Sequence, residues 1–135
     1  MTAKEWLSRA RTVERELAAL YATREEEIAR LTRSVQSLSG DPVQTSKDPH
    51  AFDRLGELAE AIESRELELR RIKADTIVAI SLLRDGMERI VLHERYVNCK
   101  TFERVAVDNN VSIRNVWRIH GRALRHMEEA RPWRE

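Results

Sequence analysis

Apolar residues fall at Ala10, Val13, Leu17 and Leu20, and again at Ile28, Leu31, Val35 and Leu38. Each set steps by three, four and three residues, the spacing of a helix packed along another helix. Thr2 followed by Glu5 is a capping-box signature at the start. Ser39-Gly40-Asp41-Pro42 stops the pattern, because Gly suits the left-handed end of a helix and Pro cannot continue it. The pattern predicts a first helix over about 3–38 and a loop over about 39–49. Asp48-Pro49 restarts a helix, with Asp as N-cap and Pro at the first helical position. Leu55, Leu58, Ile62, Leu69, Ile72, Thr76, Ala79 and Leu83 carry a second seam, which predicts a helix over about 49–84.

A short loop between two long helices makes them antiparallel neighbours. Folding near residue 44 brings Leu31 to Leu58, Ile28 to Ile62, Leu20 to Leu69 and Leu17 to Ile72. The two seams lapse together, at Arg24 in the first helix and at Arg65 and Glu66 in the second. An Arg24–Glu66 pair there would form a polar layer that sets register at a cost in stability; alternatively, all three side chains point to solvent. Residues 1–84 thus read as a long antiparallel helical hairpin, coiled-coil-like in its seam. No catalytic pattern lies in it. Its remaining apolar face suits a homodimer through the hairpin, or another partner.

The pattern changes after Asp85-Gly86. Met87, Ile90, Val91 and Tyr96 predict one short amphipathic helix, and Val97-Asn98-Cys99-Lys100 a turn. Thr101 caps a second helix whose Phe102, Val105 and Ala106 face inward. Asn109-Asn110 turns the chain, since Asn tolerates the left-handed conformation that Gly usually supplies. Ser112 caps a third, longer helix with Val116, Ile119, Ala123, Leu124 and Met127 on its buried face. Two helices joined by a short turn, the second opening on Ser and bearing Arg, fit a helix-turn-helix. The expected fold is all-α: a hairpin over 1–84, a three-helix helix-turn-helix domain over 85–130 and a tail over 131–135.

Composition agrees with long helices. Charged residues make up 35% of the chain and aromatic ones 5%, with 4 Gly and 3 Pro among 135 residues. That leaves few turn-makers for a β-sandwich, a barrel or a doubly wound sheet. No run approaches the roughly 20 apolar residues of a membrane span, and the opening MTAKEWLSRAR lacks the apolar run of a signal peptide. Cys99 is the single cysteine, so no internal disulfide forms and a reducing, cytoplasmic setting is the default. His50, His93, His120 and His126 show no metal-ligand spacing. There is no Gly-rich phosphate loop and no nucleophile elbow. Neither a metal, a cofactor nor an enzymatic activity is expected.

Net charge is only +1, but unevenly spread. Residues 1–83 hold 13 basic and 15 acidic side chains, and residues 84–135 hold 11 and 8. Between 112 and 127 stand four Arg, two His and no acid. Arg114, Arg118, Arg122 and Arg125 step by four, four and three, along one stripe of the third helix. Such a stripe beside a turn suits a polyanion, double-stranded DNA above all; the alternative is a solvated face paired with acids of the hairpin. Arg can fork two hydrogen bonds onto guanine, and Asn115 can do the same onto adenine. His120 reads as a phosphate donor or an inert surface residue. Trp117 either lies along a sugar or thymine methyl or packs back on the hairpin.

The stretch Arg89 to Met127 also resembles region 4 of bacterial sigma-70-type factors. The matching residues are Arg95-Tyr96, Thr101-Phe102-Glu103-Arg104-Val105-Ala106, Val111-Ser112, Val116, Ile119 and Ala123-Leu124. The run from Val116 to Leu124 is similar to phage and prophage late-gene transcription regulators of the RinA/ArpU type. The resemblance implies sequence-specific DNA binding at a promoter, with host RNA polymerase as a possible partner. Carried over by position, base-facing residues fall on Ile113, Arg114, Asn115, Trp117 and Arg118. Lys100, Thr101, Arg122 and Arg125 would hold phosphates. Asn109, Asn110, Ile113 and Trp117 depart from the sigma pattern, which leaves the DNA sequence open. Two other readings stand beside this one: a DNA-packaging component resembling a small terminase subunit, and a module that binds only protein.

Overall fold

A computed structural model describes residues 1–38 and 49–133, the side chains of 35–38 excepted. Residues 39–48 of the loop expected over 39–49, with its Asp48 cap, lie outside the described residues, as do the side chains of Val35 and Leu38. Within the described residues the fold is all-α, with no strand. The helices are α1 (Ala3–Leu7), α2 (Arg9–Leu38), α3 (Ala51–Ile80), α4 (Gly86–Leu92), a π-helical turn (His93–Val97), α5 (Phe102–Asp108) and α6 (Ile113–Ala130). They divide into two compact units: Met1–Val13 with Leu69–Glu135, and Glu14–Glu68. The sequence places one boundary near 84. Packing instead joins both the first thirteen residues and the end of α3 to the C-terminal helices, because their apolar residues share one core.

That core has two clusters. Trp6, Leu7, Ile80, Leu83, Leu92, Tyr96 and Met127 lie in one. Val91, Val105, Ala106, Val116 and Ile119 form the other, with Met87, Phe102, Val111 and Ile113 packed against it. The ends of each helix follow local chemistry. Thr2 and Glu5 form both bonds of the capping box. Ser8 Oγ and Arg9 Nε donate to the carbonyls of Lys4 and Trp6 and interrupt the first helix there. α3 ends at Ile80, short of the expected 84. Its last carbonyls receive tight backbone bonds from Leu82 and Leu83, and Arg89 Nη1 donates to the Leu83 and Arg84 carbonyls at 2.7 and 2.9 Å. Asp85 then caps α4, its Oδ1 accepting from the Met87 and Glu88 amides.

The helix expected to run from Met87 to Tyr96 changes type at His93. There the Asn98 amide bonds back five residues to the His93 carbonyl, and Cys99 takes φ 55. α5 closes on a left-handed Asn110 at φ 53, with Asn110 N–H bonded to the Val107 carbonyl and Val111 N–H to the Ala106 carbonyl. This is a Schellman motif with Asn in the usual place of Gly.

In the unit Glu14–Glu68, Arg65 meets Glu16 at 3.4 Å and Arg54 meets Glu27 at 3.2 Å. Rising numbers on one segment meet falling numbers on the other, so the two run antiparallel. The phase of the α2 seam corrects the sequence reading. Ile28 is 47% exposed, while Glu27 turns inward toward Arg54 and Arg30. Burial continues in unbroken steps of four and three through Val13, Leu17, Leu20, Arg24, Glu27 and Leu31. The seam never lapses; it is simply filled by polar residues. Nor does Arg24 pair with Glu66. The Tyr21 hydroxyl donates to Glu66 at 2.7 Å, and the Arg24 guanidinium lies 5.2 Å from the centre of the Tyr21 ring.

Candidate nucleic-acid interface

Nine residues carry the expected DNA contacts, and the structure sorts them. Ser112 caps α6, its Oγ accepting from the Asn115 amide at 3.1 Å. The helix buries Val116, Ile119, Ala123 and Met127, which turns the opposite face outward. Arg114, Trp117, Arg118 and Arg125 are exposed there, Trp117 by 54%. Trp117 belongs to neither core cluster, so it faces outward and not back on the chain. Ser112, Arg114, Asn115 and Arg118 line an open concavity at the start of α6. Within it Arg118 Nη2 donates to Asn115 Oδ1 at 2.7 Å. Arg114 and Arg125 form no ion pair among the described residues.

The other positions take different roles. Arg122 is not a free cation: its Nε and Nη2 lie 3.3 Å from the carboxylates of Glu88 and Asp85. Glu88 is 1% exposed and also accepts from His126 Nδ1 at 2.6 Å. A carboxylate this buried needs such partners, so the end of the expected stripe serves to pin α6 onto α4. Lys100 is likewise committed, to Glu94 and to Asp108 at 2.9 Å. Hydrogen bonds to Glu94, then Asp108, hold its ammonium above the ordinary lysine range. The Lys100 bond also holds the Asp108 carboxyl below the usual carboxylate range, with Arg104 adding to it. Thr101 remains exposed, but its hydroxyl caps α5 by accepting from the Arg104 amide. Ile113 is half-buried and packs against the second core cluster.

His120 is neither a phosphate donor nor an inert surface residue. Its Nε2 lies 2.6 Å from the Tyr96 hydroxyl, and Phe102 meets its ring edge-on at 4.9 Å. Burial lowers its pKa to about 4, with the charges of Arg95 and Lys4 acting in the same direction. It is therefore a neutral ring packed between α6, the π turn and α5.

Glu88 and the N-terminal strap have no place in the sequence reading. The Ala3 amide donates to Glu128, and Trp6 stacks on Trp133 at 5.4 Å, so the ends of the chain close over α6. The one hint of Glu88's role is the i, i+4 spacing of Arg122 and His126, which places two donors side by side. Among the described residues, no cluster of His, Cys, Asp or Glu could hold a metal ion, and no helix is long and apolar enough to cross a membrane. No protein-family model, curated protein or solved structure matches the chain.

Proposed function

We propose that the chain is a sequence-specific DNA-binding transcription regulator, in which α5, the Asn110 turn and α6 act as a helix-turn-helix. The observation that carries this is the contrast among its cations. Lys100, Arg104 and Arg122 have acidic partners, while Arg114, Arg118 and Arg125 stand on the outward face of α6 with none among the described residues. Exposed, unneutralised arginines beside a polar cap suit the phosphates and base edges of a major groove. Arg114, Asn115 and Arg118 lie in the first turns, where recognition helices meet bases, and Arg125 lies further along, toward the backbone.

The resemblance of Arg89 to Met127 to sigma region 4, and of Val116 to Leu124 to phage late-gene regulators, adds the finer reading, a promoter target with host RNA polymerase as partner. A homodimer belongs to the same reading. Ile28, Phe52 and Leu67 are large, apolar and exposed on the unit Glu14–Glu68. Solution mass separates this from the packaging alternative, which requires a ring of many copies.

Titration of duplexes at several salt concentrations tests the function. Arg118→Ala should cost about 1–3 kcal/mol on a selected site and relax preference at one base pair. Arg125→Ala should weaken all sequences alike and lower the salt slope by about one. A wild-type chain that binds no duplex even at low salt would overturn the proposal.

A further inference from the structure

Asn recognises adenine by using both ends of its amide at once, the oxygen accepting from the N6 amino group and the nitrogen donating to N7. In this chain the two ends of the Asn115 amide are not equally free. Arg118 Nη2 donates to Oδ1 at 2.7 Å, a charge-assisted bond that turns the acceptor toward the guanidinium. What Asn115 has left to offer outward is both N–H groups and one lone pair of Oδ1, so donors outnumber acceptors. The rest of the concavity is similar in kind. Arg114 and Arg118 carry only donors, and the Ser112 hydroxyl already accepts the Asn115 amide.

A donor-lined hollow discriminates among base edges. Guanine presents two acceptors in the major groove, O6 and N7. Adenine places a donor beside its single acceptor, cytosine presents a donor, and thymine one acceptor beside a methyl group. Two donors set against adenine or cytosine leave an N–H facing an N–H. Only guanine satisfies both prongs of a guanidinium.

Resting on the DNA-binding reading above, we infer that the Asn115–Arg118 pair selects guanine. Arg118 forks onto O6 and N7 with its remaining N–H groups. Asn115 is the positioning residue that holds the fork at its angle. The Asn115 backbone is itself held by the Ser112 cap, so the aim of the guanidinium is built up from the start of the helix and does not depend on a free arginine rotamer.

Selection of bound duplexes from a randomised pool, followed by titration of variants, tests this. The wild-type chain should enrich guanine at a fixed position. Arg118→Lys keeps the charge but loses the fork, so preference at that position should fall about tenfold or more while salt dependence is kept. Asn115→Ala should blunt the same preference by a smaller factor. Thermal melts show that both variants remain folded. A selected adenine that Asn115→Ala erases and Arg118→Lys spares would overturn the inference and leave DNA binding standing. So would a selected motif that neither variant alters. Failure to retain any duplex at low salt would overturn the DNA-binding reading itself.

Discussion

Leu7, Leu92 and Met127 have no accessible surface, whereas in the unit Glu14–Glu68 only Leu17, Ala51 and Ile62 are buried among the described residues. Both regions are helical, but different forces hold them. The unit that includes both ends of the chain closes an apolar core and pins it with a buried carboxylate. The other aligns two helices through Tyr21–Glu66, Glu27–Arg54 and Glu16–Arg65. Exposed or half-exposed ion pairs contribute little each, about 0–1 kcal/mol. Such a seam defines which residues meet more than it defines how tightly they hold. The lesson is that a regular heptad seam and a deep core are separable properties of one helix.

The largest test of this contrast is Leu92→Ala, which should cost about 2–5 kcal/mol because the side chain is wholly enclosed. Denaturant unfolding measures it, and a cost under 1 kcal/mol would erase the distinction. Next comes the acid limb of stability. The His120 pKa is about 4 in the folded chain against 6.5 unfolded, so the unfolded chain takes a proton that the folded one refuses. The associated stability is fully present above about pH 6.5 and is lost as pH falls toward 4, on the order of 2–3 kcal/mol. His120→Gln should remove that slope, so the stability gap between wild type and variant should change across this window. A gap constant with pH would contradict the burial of a neutral ring. Tyr21→Phe removes one half-buried hydrogen bond from the other unit and should cost about 1 kcal/mol or less. Smallest of all, Ile28→Ala should stay within about 0.5 kcal/mol, since that side chain lies off the seam. A loss of 2 kcal/mol there would restore Ile28 as a core position.

Features that depend on neighbours in sequence are the legible ones. The Thr2, Thr101 and Ser112 caps, the left-handed Asn110 and the buried face of α6 all follow from residues within a turn of one another. The seam of α2 is less legible at Ile28, because apolarity points there while the phase continues through Arg24 and Glu27. Long-range polar partners are the least legible. Nothing near Glu88 in sequence announces that Arg122 and His126, more than thirty residues away, will let it be buried. For the same reason the basic stripe looks longer in sequence than it is in space. Lys100 likewise cannot be recognised as spent until Glu94 and Asp108 meet it.

The two ends of α6 differ in how they can change over generations. Val116, Ile119, Ala123 and Met127 answer to the core, and Arg122 and His126 answer to Glu88. Arg114, Trp117 and Arg118 face outward, and Arg118 bonds only to its neighbour Asn115 among the described residues. Substitutions at such exposed positions shift folding free energy by about 0.5 kcal/mol or less. A lineage can therefore exchange Arg114, Trp117 and Arg118 without passing through an ancestor that fails to fold. The surface at the start of the helix is free to drift while its last turns keep the scaffold, and the same three positions are the ones to randomise in a library that needs every member folded.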